Sequence, residues 1–180
     1  EAMEQVRLAE QWGLDLVWFT EHHFLEDGHL PNFVPVAGAV AAITERVRIS
    51  TDILLAPFAH PIRLAEDLAI LDNLSGGRIE LGIGMGYAAH EFAGFGVPQK
   101  NRVSLTEELV EILRLAWKGE RFSYHGKRYR FDDLLVTPAT VHARCIRISV
   151  GYSRAPTRSR CRPAAPRGAA RSPRQSALCT

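Results

Sequence analysis

VRISTDILLAPFAHPIRLAEDLAILDNLSGGRIELGIGMG, residues 47–86, places one helix between two apolar strands. Val47–Leu55 (VRISTDILL) is rich in β-branched and aliphatic residues and reads as a strand. Pro61 suits the first position of a helix, where no helical hydrogen bond is lost for want of its N–H. Leu64, Leu68 and Leu71 then recur at helical spacing, and Gly76-Gly77 ends the run. Arg78–Ile83 (RIELGI) is the next strand, followed by Gly84-Met85-Gly86. Strand, helix and strand in this order form a βαβ unit, and such units build parallel sheets.

The alternation continues in both directions. Upstream, Met3, Val6, Ala9 and Trp12 mark a helix that Gly13 closes. Leu14–Thr20 (LDLVWFT) reads as a buried strand, and Pro35–Thr44 as an Ala- and Val-rich helix. Downstream, Arg102–Lys118 carries Leu105, Leu109, Ile112, Leu113 and Ala116 on one side. Ser104 and Glu107 there have the spacing of a capping box. Phe122–Thr137 suggests a hairpin, and Cys145–Val150 (CIRISV) passes for a fourth strand. The fold class is α/β. An open doubly wound sheet and a closed barrel both accommodate the pattern.

Charge divides the chain in two. Nine of its 22 basic side chains lie beyond Pro138, where there is no acid, leaving 13 against 20 acids before it, a net of −7. An acidic body argues against nucleic acid as a specific partner. No apolar run approaches the ~20 residues of a membrane span. The opening EAMEQVRLAEQWG has no basic n-region and so does not read as a signal peptide. Cys145, Cys161 and Cys179 all follow Pro138, so the body offers no disulfide framework, and a cytoplasmic location is the default. From Ser153 the sequence SRAPTRSRCRPAAPRGAARSPRQSALCT loses nearly all large apolar residues. Such a segment buries too little to offset the entropy of ordering it. The expected organisation is a domain over 1–152 and a disordered basic tail over 153–180, in character the product of a shifted reading frame.

Chemistry is expected at the carboxyl ends of the strands. The first end carries Glu21, His22 and His23. Imidazoles beside a carboxylate suit proton transfer near neutral pH, although two solvated loop histidines would look the same. Glu21, His22, His23, His29 and His60 show no standard metal-ligand spacing, so no metal site is expected. The second end carries Thr51 and Asp52, an acid that either caps a loop or meets a ligand. The third carries Gly84, Met85 and Gly86, where missing side chains allow either a ligand or a neighbouring strand to approach. Their spacing departs from the dinucleotide fingerprint G-x-G-x-x-G. Arg102, at the start of the long helix, has the chemistry to hold a phosphate, or to sit solvated.

Four stretches together resemble the bacterial-luciferase-like flavin monooxygenases: LDLVWFTEHHF (14–24), the run 54–86, EFAGFGV…R…E (91–107) and FSYHGKRYRFDDLLVTP (122–138). The resemblance covers about residues 1–152. It implies roughly the first half of a TIM-type (β/α)₈ barrel, a partial barrel in a truncated copy, since a whole barrel takes about 250 residues. It further implies reduced FMN, supplied by a separate flavin reductase, which reacts with O2 through a flavin C4a-peroxide to oxygenate a small organic substrate. His22 matches the family's acid/base histidine, and Glu21 and His23 belong to the same motif. Thr51-Asp52-Ile53 matches the strand end that backs the flavin ring, often through a non-prolyl cis bond. Gly84-Met85-Gly86 matches a loop beside the flavin, and Arg102 an arginine that reaches its phosphate. Met85 stands where the luciferases carry a second basic residue. The family's full-length members are expected to be dimers.

Two alternatives accompany this reading. One is a deazaflavin (F420)-dependent oxidoreductase of the same superfamily, and the other is an inactive flavin-binding remnant. The tail generates a prediction of its own. Removing residues 154–180 should leave the melting temperature of the remainder almost unchanged and weaken salt-sensitive binding to polyanions. Amide-exchange protection within 156–176 would show instead that the tail is folded.

Overall fold

A computed structural model describes residues 1–141 and 146–150, and its elements alternate as the sequence predicts. They are α1 (Ala2–Gln11), β1 (Leu16–Phe19), α2 (Phe33–Ile43), β2 (Arg48–Thr51), β3 (Leu54–Leu55), α3 (Pro61–Ser75), β4 (Glu80–Gly84), α4 (Ala89–Gly94), α5 (Arg102–Ala116), β5 (Phe122–His125), β6 (Arg130–Leu134) and β7 (Arg147–Val150). β1 pairs with β2, β3 with β4 and β4 with β7, all parallel. A parallel bridge between Ile49 and Ile79 joins β2 to β4. β5 and β6 form the expected antiparallel hairpin. The tail from 153, the domain boundary at 152 and all three cysteines lie outside the described residues. Among the described residues, no helix is long and apolar enough to cross a membrane.

The core lies between the strands and a layer of helices. Val40 of α2, Leu68 of α3 and Leu109 and Leu113 of α5 are fully buried with Ile49, Leu81 and Ile83 of the strands. Full burial of one such side chain contributes about 1.5–3 kcal/mol. α3 starts at Pro61 and ends at Gly76, whose φ of +67° is the left-handed cap that a side chain disfavours. Trp117 Nε1, just past α5, donates to the Ala65 carbonyl at 3.1 Å and ties α5 to α3.

Three buried or half-buried charges hold the connections. Glu10, near the end of α1, accepts the backbone N–H groups of Glu45, Arg46 and Val47 at 3.0, 2.6 and 2.8 Å. Burial alone would raise its carboxyl, but these donors outweigh it and hold the carboxyl below its ordinary value. The Arg78 guanidinium donates to the carbonyls of Ala41, Thr44 and Val47, closing the exposed end of α2 onto the start of β4. Glu108 accepts from the N–H groups of Lys127, Arg128 and Tyr129, which fixes the β5–β6 turn against α5.

Three expectations need correction. Val47–Leu55 is two strands, because pairing passes from β1 to β4 after Thr51, and the intervening Asp52–Ile53 peptide is cis. Leu14–Thr20 is not a buried strand: Trp18 is 54 % exposed, since β1 has a strand neighbour on one edge only among the described residues. Ser104 and Glu107 form no capping box, because α5 begins at Arg102 and Ser104 Oγ donates to the Asn101 carbonyl at 3.0 Å.

Two glycines in this frame should respond oppositely to alanine. A Cβ on Gly82 would overlap the Thr51 carbonyl oxygen, a backbone atom that cannot swing aside. Gly82→Ala should therefore destabilise by about 1–3 kcal/mol in urea unfolding. At Gly38 in α2 the added methyl meets only Leu71 Cδ2 at 3.6 Å, an ordinary contact. Gly38→Ala should stabilise by up to about 1 kcal/mol through helix propensity.

Candidate active site

The parallel strands bring three carboxyl ends to one mouth. Thr20, Glu21 and His22 follow β1, Asp52 and Ile53 follow β2, and Gly84 closes β4. These residues line one cavity of about 540 Å³, which Leu55, Met85, Gly86, Tyr87 and Arg102 complete. The volume falls within the usual range for small-molecule and cofactor sites. Of the residues singled out from the sequence, Glu21, His22, Asp52, Gly84, Met85, Gly86 and Arg102 meet here. Thr51 and His23 do not line it. Thr51 is buried, and its Oγ1 donates to the Gly82 carbonyl at 2.7 Å and accepts the Gly82 N–H at 3.0 Å. His23 faces a second cavity of about 210 Å³ beyond Glu21.

The glycines act through packing. A Cβ on Gly84 would overlap the Ile53 side chain, so the bare backbone of β4 lets Ile53 lie flat against it. Ile53 then forms part of the cavity wall. Of the two explanations for these glycines, close approach of a neighbouring segment is the one seen at Gly82 and Gly84.

The histidines are each set against a carboxylate. His23 Nε2 lies 2.8 Å from Glu21 Oε1, and Glu21 Oε2 accepts the Leu55 N–H at 3.2 Å. His22 Nδ1 lies 3.4 Å from Oε1 of Glu91, and that oxygen also accepts the His23 N–H at 3.0 Å. Glu91 is 1 % exposed. Burial, reinforced by the charge of Glu91, pushes the Glu21 carboxyl above its ordinary value, against the opposing pull of His23 and the Leu55 N–H. Glu91 was not singled out from the sequence as a functional residue. A lone acid beside Phe92 at the start of a short helix was the available signal, but exposed helix positions look identical. Tyr87, Ile53 and Leu55 were missed for a related reason: apolar residues next to a strand end do not announce which face they occupy.

A flat aromatic group with an anionic arm fits this donor set. Ile53, Leu55 and Met85 give apolar wall, and Arg102, the first residue of α5, makes no ion pair among the described residues. An uncompensated guanidinium on a largely apolar cavity is suited to a phosphate. Among the described residues, no group of three or more His, Cys, Asp or Glu is placed to hold a metal ion.

Comparison with known proteins gives the family and the fold. Residues 1–159 match the family described as luciferase-like monooxygenase. The chain is 39 % identical over 132 residues to the alkanal monooxygenase alpha chain of Photorhabdus laumondii subsp. laumondii, covering 73 % of this chain and 37 % of that one. It is 37 % identical over 135 residues to an F420-dependent glucose-6-phosphate dehydrogenase of Microbacterium testaceum, covering 72 % and 40 %. Among solved structures, monooxygenase RslO1 from Streptomyces bottropensis superposes with a TM-score of 0.79 at 35 % identity, covering 83 % of this chain and 46 % of that one. The fold is accordingly that of luciferase-like TIM-barrel enzymes, and the chain spans about two fifths of the length of the curated relatives it matches.

The buried Glu21 carboxyl makes stability depend on pH. With its folded value raised, the folded state holds the proton more tightly than the unfolded state does. Stability from this group is therefore full at low pH. It falls as pH rises from about 4.3, the ordinary glutamate value, through the raised one. Urea unfolding across that window should show the wild type losing stability relative to Glu21→Gln. A difference independent of pH would remove Glu21 as the cause.

Proposed function

Because the chain belongs to the luciferase-like monooxygenase family, we propose that its cavity at the strand ends is the flavin site of an FMN-dependent monooxygenase that oxygenates a small organic substrate with O2. The convergence of His22, the Asp52–Ile53 segment, Gly84–Tyr87 and Arg102 on one cavity carries the reading. Bound reduced flavin would supply the electrons that activate oxygen. Ile53, resting on Gly84, would offer the ring an apolar surface, and Met85 and Tyr87 line the same cavity. Arg102 would hold the phosphate arm through a charge-assisted fork. His22, on the cavity wall, would accept and return a proton there. Glu21 and His23 form a second imidazole–carboxylate pair behind it, with Glu21 on the cavity wall. Asp52 is exposed at the mouth, where its charge stays solvated and can meet a polar substrate group.

By the family resemblance, a separate flavin reductase is the partner that would supply the reduced flavin. F420 is the competing cofactor, favoured by the likeness to the F420-dependent dehydrogenase. An alkanal, the substrate named for the Photorhabdus relative, is the first substrate to try.

Fluorescence titration of the chain with FMN and with F420 tests the cofactor directly. FMN should bind more tightly. Arg102→Ala should weaken FMN binding roughly 10- to 100-fold, the loss expected for a hydrogen bond to a charged group. His22→Ala should leave FMN affinity near wild type but lower turnover with O2 and an alkanal by about 10²–10⁴. Tighter binding of F420 would move the chain to the hydride-transferring branch, and indifference to Arg102→Ala would relocate the phosphate site.

A further inference from the structure

α4 grips the histidine segment through its backbone. Glu91 accepts the His23 N–H at 3.0 Å, and His90 Nε2 lies 3.3 Å from the His23 carbonyl oxygen. Both main-chain groups of His23 are thus held by consecutive residues of one helix. Phe24, at a φ of +59°, lays its ring where a Cβ on Gly94 would be, and Phe95 meets the His23 ring edge-on at 4.6 Å. The segment 22–24 is fixed from outside the strand that leads to it. Glu91 is the member of this clamp that also reaches His22, through Nδ1 at 3.4 Å.

We infer that Glu91 is the positioning residue for His22: it holds the imidazole with the proton on Nδ1 and leaves Nε2 unprotonated toward the cavity. A carboxylate can only accept hydrogen bonds, so Nδ1 must donate to it. In a neutral imidazole the other nitrogen is then the acceptor. Glu91 is 1 % exposed, and His22 lines the cavity while its Nδ1 faces this buried acid. The neighbouring acid Glu21 is turned elsewhere, its Oε1 toward His23 Nε2 and its Oε2 toward the Leu55 N–H. The consequence is a base presented to the cavity in one protonation geometry, without the carboxylate entering the cavity itself.

The inference rests on the proposed role of His22, and the test separates the two. Long-range ¹H–¹⁵N spectra of the flavin-free chain report the tautomer of each neutral histidine, and the His22→Gln spectrum assigns His22. The wild type should show the Nδ1–H tautomer. Glu91→Gln should convert His22 to a mixture or to Nε2–H, whereas Glu91→Asp should retain part of the Nδ1–H form. In turnover with reduced FMN, Glu91→Gln should lose as much as His22→Ala, about 10²–10⁴-fold, with FMN affinity unchanged. A wild-type His22 in the Nε2–H form overturns the inference whether or not any variant folds. So does a tautomer unmoved by Glu91→Gln. The expected tautomer without any flavin binding would instead refute the functional reading and leave the positioning role standing.

Discussion

The reciprocal contact between Thr51 and Gly82 governs how this structure ends its strands. At that point β2 stops pairing with β1, and the Thr51 side chain supplies to β4 the donor and the acceptor that a backbone ladder would have supplied. The approach is possible because Gly82 has no Cβ to meet the Thr51 carbonyl. Two residues later Ile53 uses the bare backbone of Gly84 in the same way. Close packing of this kind tolerates little rearrangement, because interiors are as dense as organic crystals. The cavity floor is consequently a product of strand packing, and Asp52 leaves it at the mouth.

Around that floor, charge is placed by burial. Two carboxylates, Glu21 and Glu91, each face an imidazole, and both also accept a backbone N–H. Buried acids survive only when their lone pairs are occupied, and here the occupants are the segment His22–His23 and β3. The same logic recurs away from the cavity, where Glu10 and Glu108 each gather three backbone donors from a loop and a turn. Acidic side chains in this body are therefore internal fasteners as well as surface charge. Arg102 differs from all of them: it is a cation on the cavity with no partner among the described residues.

Much of this was legible in the linear chain. The strand–helix alternation follows from apolar periodicity and from glycine and proline punctuation, which are local properties. The helix Pro61–Ser75 shows this most plainly, since Pro61 and Gly76 bracket it. The gathering of His22, Asp52 and Gly84 on one mouth also followed, because parallel strands place all their carboxyl ends on the same side. The resemblance over 54–86 agreed with the family that the chain matches.

What only the tertiary structure decided depends on contacts between residues distant in sequence. The break of Val47–Leu55 at Thr51 comes from a change of strand partner, which no local window contains. Trp18 is exposed because β1 lacks a second neighbour among the described residues, although its own composition suits burial. The contacts of the His23 N–H and of His22 Nδ1 with Glu91 join a loop to a helix 68 and 69 positions later. The sequence by itself determined which elements form and that His22, Asp52 and Gly84 share one end of the strands, because hydrophobic period and chain direction are written residue by residue. Which carboxylate faces which imidazole, and which glycine receives which side chain, was decided only when the strands packed, because those choices are made by shape and by the need to satisfy every buried polar group.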